Sequence, residues 1–281
     1  TSLTVQENTT TVGTLSSTDS EGGHVTFSIS GGSDAASFEV VDGTTLQLLQ
    51  TANYEAKASY IVQVKASDAA GNSVTENFTV TVIDNTAPTM TLTASAVADG
   101  GTHNAAVTMT FTSSESTSNF IESDITVTNA SISNFSGSGT TYTATITPSG
   151  SSPSVVVGAN KFTDANGNNN TTSNTYNWTH DTTPPTSNSI SIAGGATYTN
   201  STSVTLTLAS TGASQMRFKN DSGSYGSFVT YATSYSHTLA NTQGTRTVSV
   251  QFKDAAGNVA SAASDTIVFD TTPPTSNSIS I

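Results

Sequence analysis

Cysteine is absent from the 281-residue chain, which removes disulfides, zinc–thiolate centres and thiol chemistry together. Cations are nearly as scarce, with seven Lys and Arg against 20 Asp and Glu and a formal charge of −13. So few positive groups cannot replace the counterions of a nucleic acid, and nucleic acid and anionic membrane are both set aside as partners. Charged residues of either sign make up 10% of the chain, against ~25% in an ordinary soluble domain, so surface polarity must come from Ser, Thr and Asn. No run approaches the ~20 apolar residues of a membrane helix. Thr1-Ser2-Leu3 has neither the basic nor the apolar part of a leader, and the missing initiator Met suggests a soluble segment of something longer.

Repetition is the strongest positive signal. The twelve residues from Asp181 to Ile192 return letter for letter from Asp270 to Ile281, an offset of 89, and a looser form, Asp84-Asn-Thr-Ala-Pro88, stands 97 residues before Asp181. A second motif, Asp-x-x-Gly-Asn, begins at Asp68, Asp164 and Asp254, in each case 16 or 17 residues before a boundary Asp. Two motifs recurring in step imply three units over residues 1–86, 87–182 and 183–271, with 272–281 as the first strand of a further, truncated copy.

Apolar residues in each unit alternate with period two, which marks strands with one buried face. The runs Tyr60, Val62, Val64 and Phe78, Val80, Val82 come from the first unit. Val107, Met109, Phe111 and Tyr142, Ala144, Ile146 come from the second, and Val204, Leu206, Leu208 and Val248, Val250, Phe252 from the third. No segment sustains helical spacing. Several short strands per unit predict an all-β chain, a tandem array of three antiparallel β-sandwiches.

The motifs of the first unit resemble a cadherin-type repeat: Glu7-Asn8 followed by Gly13, Asp19-Ser-Glu21-Gly-Gly, Asn53-Tyr-Glu55, and Asp68 in its Gly-containing turn. The exit departs from that pattern, because Asp84-Asn-Thr-Ala-Pro88 has lost carboxylate and amide ligands that the family carries there. The second and third units resemble bacterial Ig-like repeats of large surface adhesins. That resemblance rests on Phe111 to Glu115 with Asp124 to Val127, and on Gln215 to Asp221 leading to Val250 through Asn258. It implies an extracellular, bacterial cell-surface setting and a non-catalytic role.

Strand parity in a seven-strand sandwich places Glu7, Glu55 and Asp84 at one end of the first unit, and Glu115, Asp124 and Asp164 at the facing end of the second. Six carboxylates so gathered would repel unless a hard cation sat among them, and calcium takes six to eight oxygens. Calcium is therefore expected as a structural cofactor at this first junction. A poorer second junction would collect Asp99, Asp181 and Asp254 with help from Asp221, and Asp19, Glu21 and Asp68 would form an incomplete N-terminal site. The competing reading is turn chemistry, since Asp and Asn also favour turns by bonding their own backbone.

Catalytic motifs are missing: there is no Gly-x-Ser-x-Gly elbow, no His-Glu-x-x-His and no phosphate loop, and the four His share no spacing. Tyr176 and Trp178 share one strand face and are read as core before sugar platform. Tyr225, Tyr231 and Tyr235, with Phe228, form a denser cluster around a Gly-rich turn and are the best candidates for a weak ligand contact. The expected function is a calcium-stiffened spacer in a surface or secreted adhesin, whose partners are calcium and neighbouring repeats. The alternatives are an adhesive or glycan-binding module, and a fibre subunit in which Ser276 to Ile281 completes a neighbour's sheet.

Overall fold

The structure is a computed structural model that describes residues 1–277 and Ile279. The described residues form strands joined by turns and three short 3-10 segments, so the all-β expectation holds. Half of the strand expected over residues 276–281, positions 278, 280 and 281, lies outside the described residues. No described helix is long and apolar enough to cross a membrane.

The chain divides into two compact units. The first contains residues 1–89 together with 115–119 and 160–171. Its larger sheet orders the strands Ser2–Gln6, Ser73–Ile83, Ser59–Ser67 and Thr26–Gly31, and a smaller one orders Thr11–Thr14, Thr45–Leu48 and Phe38–Val41. Alternation decides what lies between them: Val62, Val64, Val80 and Val82 from the first sheet meet Phe38, Leu46 and Leu48 from the second in one buried cluster. Most intervening positions carry polar side chains such as Ser59, Gln63, Asn77, Thr79 and Thr81, although Ile61 and Ile83 are exposed among them.

The second unit holds the remaining residues. One sheet orders Ala130–Pro148, Val107–Thr117, whose last three residues fall in the first unit, and Met90–Ala94, and another orders Ile125–Thr128, Ser154–Val157 and Tyr176–Asn177. The long element Ala130–Pro148 turns back on itself. Nested side-chain bonds join Asn134 to Thr145 and Ser136 to Thr143, and Gly137 at the bend has φ 136°, where a Cβ would strike the Thr141 carbonyl oxygen at 2.4 Å. Thr186–Ile192, Ser203–Thr211 and Ser234–Thr238 form a three-stranded sheet. A five-stranded sheet runs Tyr198–Thr199, Ala263–Phe269, Gly244–Lys253, Gln215–Asn220, Val229–Thr230. Ile192, Leu206, Met216, Val248, Val250 and Phe252 are buried in a shared core there.

The antiparallel expectation needs one amendment. Short edge strands pair in parallel with a late strand at three places: Ser2–Gln6 with Thr79 to Ile83, Thr102–His103 with Thr179–His180, and Tyr198–Thr199 with Val268 and Phe269. Each pairing gives partners to an edge that would otherwise present bare N–H and C=O groups.

Candidate metal centre

The Asp-x-x-Gly-Asn motif folds identically in its three copies. The Asp68 carboxylate accepts the Asn72 N–H and side-chain amide, each at 2.8 Å. Asp164 accepts those of Asn168 at 2.9 and 2.8 Å, and Asp254 those of Asn258 at 2.8 and 2.9 Å. The glycine of each turn, Gly71, Gly167 or Gly257, has φ between 91° and 101°, which a side chain rarely adopts. Turn chemistry therefore accounts for the motif by itself. What distinguishes the copies is what surrounds them.

Around Asp164 other acids gather. Ligand oxygens of Glu7, Glu55 and Asp84 lie within 4.8 Å of one another, as do those of Asp84, Glu115 and Asp164. The two triads share Asp84, and all five residues belong to the first unit. Glu7 follows the strand Ser2–Gln6 and is 3% exposed. It accepts the Tyr54 N–H at 3.1 Å and the Thr86 hydroxyl at 2.5 Å. Asp84 accepts the Thr86 N–H at 3.0 Å through one oxygen and the Asn166 amide at 2.8 Å through the other. Further bonds tie residues 160–171 to this exit: Asn168 donates to the Asp84 carbonyl at 3.5 Å and the Thr171 N–H to that of Pro88 at 3.0 Å. Asn119 is bound to Thr163 through both its amide oxygen and its amide nitrogen.

The electrostatics divide the five acids by role. Burial alone would push Glu7 up, but the Thr86 and Tyr54 hydrogen bonds outweigh it and hold Glu7 below the ordinary carboxylate value. Asp164 is likewise pressed upward by burial and brought below its usual value by the Asn168 side chain and the turn N–H groups. Glu55, although its own N–H favours the carboxylate, is raised by desolvation and by sharing a hydrogen bond with Glu7. Glu115 is raised most, from 4.5 to about 7, first by burial and then by the charges of Asp84, Glu55 and Asp164. The site holds more negative charge than its hydrogen bonds neutralise.

The other expected ligands are employed elsewhere. Asp124 caps the 3-10 segment Glu122–Asp124 by accepting the Ile121 N–H at 2.9 Å, and it belongs to neither triad. In the second unit, Asp99 accepts the Asn177 N–H and Asp181 the Thr183 N–H, each through its carboxylate. Asp221 forms an ion pair with Arg246 at 3.1 Å. Among the described residues no acidic triad forms there, so Asp99, Asp181 and Asp254 are not brought together as the sequence expectation had them. Instead the Asn258 amide donates to the Asp181 carbonyl at 2.8 Å, as Asn168 does to that of Asp84. Asp19 accepts the N–H groups of Glu21 and Gly23. With Asp68 it lines a shallow hollow that Glu21 does not reach.

Two of the three candidate ligand tyrosines serve the core. Tyr235 stacks on Phe218 at 4.7 Å, while Tyr231 meets Phe252 edge-on at 5.8 Å and accepts the Ser210 N–H. Tyr225 instead lies against Arg217 and Lys219. Tyr176 and Trp178 are buried, as the core reading requires.

Comparison with known proteins gives one family-model match and a set of similar solved structures. Residues 84–179 match the family model of a bacterial Ig-like domain. A search of curated proteins returns no match. Similar solved structures include cadherin extracellular domains. Extracellular cadherin domains 3–6 of protocadherin gamma B2 share 11% identity over 96% of this chain and 71% of that chain, with a TM-score of 0.41. The protocadherin GammaB4 extracellular domain shares 13% over 96% and 48%, with a TM-score of 0.41, so this chain spans about half of it. Mouse cadherin-23 EC22–24 shares 13% over 96% and 94%, with a TM-score of 0.39.

Proposed function

We propose that this chain is a non-catalytic, calcium-stiffened spacer segment of a bacterial surface or secreted adhesin, built of sandwiches bounded at residues 1–86, 87–182 and 183–271. One observation carries the reading: five carboxylates in two overlapping triads that share Asp84, drawn from two successive sequence repeats. Glu7, Glu55, Asp84, Glu115 and Asp164 would hold the ion. Their donor set is entirely carboxylate oxygen, which suits a hard cation such as calcium and disfavours softer metals.

The charge supports the same reading. At an effective dielectric of ~20, two carboxylates ~4 Å apart repel by about 4 kcal/mol, and a divalent cation turns that repulsion into attraction. The upward displacement of Glu115 to about 7 expresses what happens without one, because a proton takes the place of the missing positive charge. Calcium would fasten residues 115–119 and 160–171 to the exit at Asp84, and so would make rigidity respond to the calcium of the extracellular medium. Pro88 stands at the first exit, and Pro184-Pro185 and Pro273-Pro274 follow the later boundary acids, where a fixed φ limits bending.

The test is calorimetric titration with calcium in parallel with the Asp84→Asn variant. Heat of binding in the parent that is lost in the variant supports the site. Absence of heat at millimolar calcium sinks it, and returns all these acids to turn chemistry.

A further inference from the structure

Three of the seven cationic residues stand together on one sheet face of the second unit, without a carboxylate partner. Lys57 pairs with Asp34 and Arg246 with Asp221, whereas among the described residues Arg217, Lys219 and Lys253 form no ion pair. In a chain with 20 acids this grouping runs against the average field. Aromatic rings hold it together. The Lys253 ammonium lies 4.2 Å from the Phe228 centroid and the Arg217 guanidinium 4.5 Å from the same ring. Arg217 is also 5.0 Å from the Tyr225 centroid, and Lys219 is 5.1 Å from it. The order is therefore Lys253, Phe228, Arg217, Tyr225, Lys219, cation alternating with ring.

Strand geometry builds this ladder. In Gln215–Asn220 the buried Met216 and Phe218 face the core, so Gln215, Arg217 and Lys219 face outward. Cross-strand register sets Gln215 opposite Lys253 and Arg217 opposite Gln251, on the same face. The segment carrying Tyr225 and Phe228 is tied to that face by the Gly226 N–H on the Phe218 carbonyl at 3.0 Å and the Tyr231 N–H on that of Ser214 at 3.0 Å. Each cation–π contact offsets part of the repulsion between the cations, but a ring neutralises no charge. Arg217 gives its Nε and Nη2 hydrogens to the Gln251 side chain at 2.9 and 2.7 Å, which fixes its plane, and among the described residues nothing accepts from Nη1. The result is an oriented row of positive donors.

We propose that this ladder binds an acidic glycan, a short run of carboxylated or sulfated sugars. Lys253 and Gln215 also line an adjoining open hollow of about 570 Å³, together with Asn104, Ser214, Thr230 and His103. That lining of neutral amides, hydroxyls and an imidazole suits sugar hydroxyls, which both donate and accept. Asp254 borders the hollow too, with its carboxylate already taken by Gly257 and Asn258. The charges of an acidic saccharide are interspersed with hydroxyls, so one ligand can engage both the cations and the hollow in a chain of formal charge −13. An acidic peptide would meet the cations but leave the hydroxyl-matched hollow unused.

The experiment titrates the full chain with four probes: oligogalacturonate, sulfated dextran, neutral dextran and poly-glutamate. Binding of either anionic glycan, weakened at least tenfold in both Arg217→Gln and Lys219→Gln and absent for neutral dextran, establishes the site. Which of the two binds distinguishes carboxylate from sulfate recognition. Lys219 lies at the outer end of the ladder, and thermal melts of its variant separate lost binding from lost folding. The proposal is overturned if neither anionic glycan binds at millimolar concentration, if the variants bind as the parent does, or if poly-glutamate binds equally well. These readouts are independent of calcium, so failure here leaves the spacer proposal standing.

Discussion

Glu115 is the residue at which the acidic site registers its unpaired charge. Its folded value of about 7 exceeds the ordinary 4.5, so between these limits the folded chain binds more protons than the unfolded one. Stability from this group is present at acid pH and is lost as pH rises through about 7, a cost on the order of 2 kcal/mol after allowing for partial exposure. Glu55 is displaced in the same direction. Glu7 and Asp164 are displaced downward, so their contribution is lost only in acid, as pH falls below the ordinary carboxylate range. In chelator the melting temperature should therefore fall between pH 5 and 8, and the Glu115→Gln variant should flatten that slope while weakening calcium binding at least tenfold. An unchanged slope in the variant would contradict the assignment. Sequence parity found Glu7, Glu55, Asp84, Glu115 and Asp164, because it fixes the end of a sandwich at which each loop lies. It could not separate Asp124, since a loop's end does not reveal which backbone N–H a carboxylate will cap, and it passed over the amide donors Asn166 and Asn168 for the same reason.

At the scale of the element, the second and third copies of the Asp-x-x-Gly-Asn turn work as latches. Asn258 is 9% exposed, and its amide spans the Asp254 carboxylate and the Asp181 carbonyl. Replacing it with Ala leaves both acceptors short of a donor, at about 1–3 kcal/mol, and the midpoint of urea unfolding should drop accordingly. A midpoint equal to the parent's would mean that the latch carries no load. Tyr235→Ala should cost about 1 kcal/mol through its lost stacking on Phe218, without altering the binding of any anionic glycan. A binding loss without destabilisation would restore Tyr235 as a ligand contact. The long strands were legible because Val, Phe, Leu and Ile alternate for three or more positions. The parallel edge pairings were not, because a two-residue strand such as Thr102–His103 has no period to read. Nor could strand pattern foretell the cation–ring ladder, which depends on how the segment around Tyr225 and Phe228 lies over its sheet.

For the whole molecule, a twelve-residue identity and three copies of one turn point to successive sequence repeats. What repetition could not foresee is that residues 115–119 and 160–171 belong to the same compact unit as residues 1–89. That grouping depends on single contacts, Asn166 and Asn168 on Asp84 and Thr171 on Pro88, which leave no periodic trace. On the proposed reading, calcium at the acidic site would govern how firmly these segments are held. Hydrogen exchange at the amides of residues 160–171 should accordingly slow when calcium is added and quicken in chelator. The most direct measurement is a pair of thermal melts near pH 7.5, in millimolar calcium and in excess chelator, for the parent and for Asp84→Asn. The account predicts a rise of several degrees with calcium in the parent and none in the variant. Identical melts of the parent in calcium and chelator would contradict it.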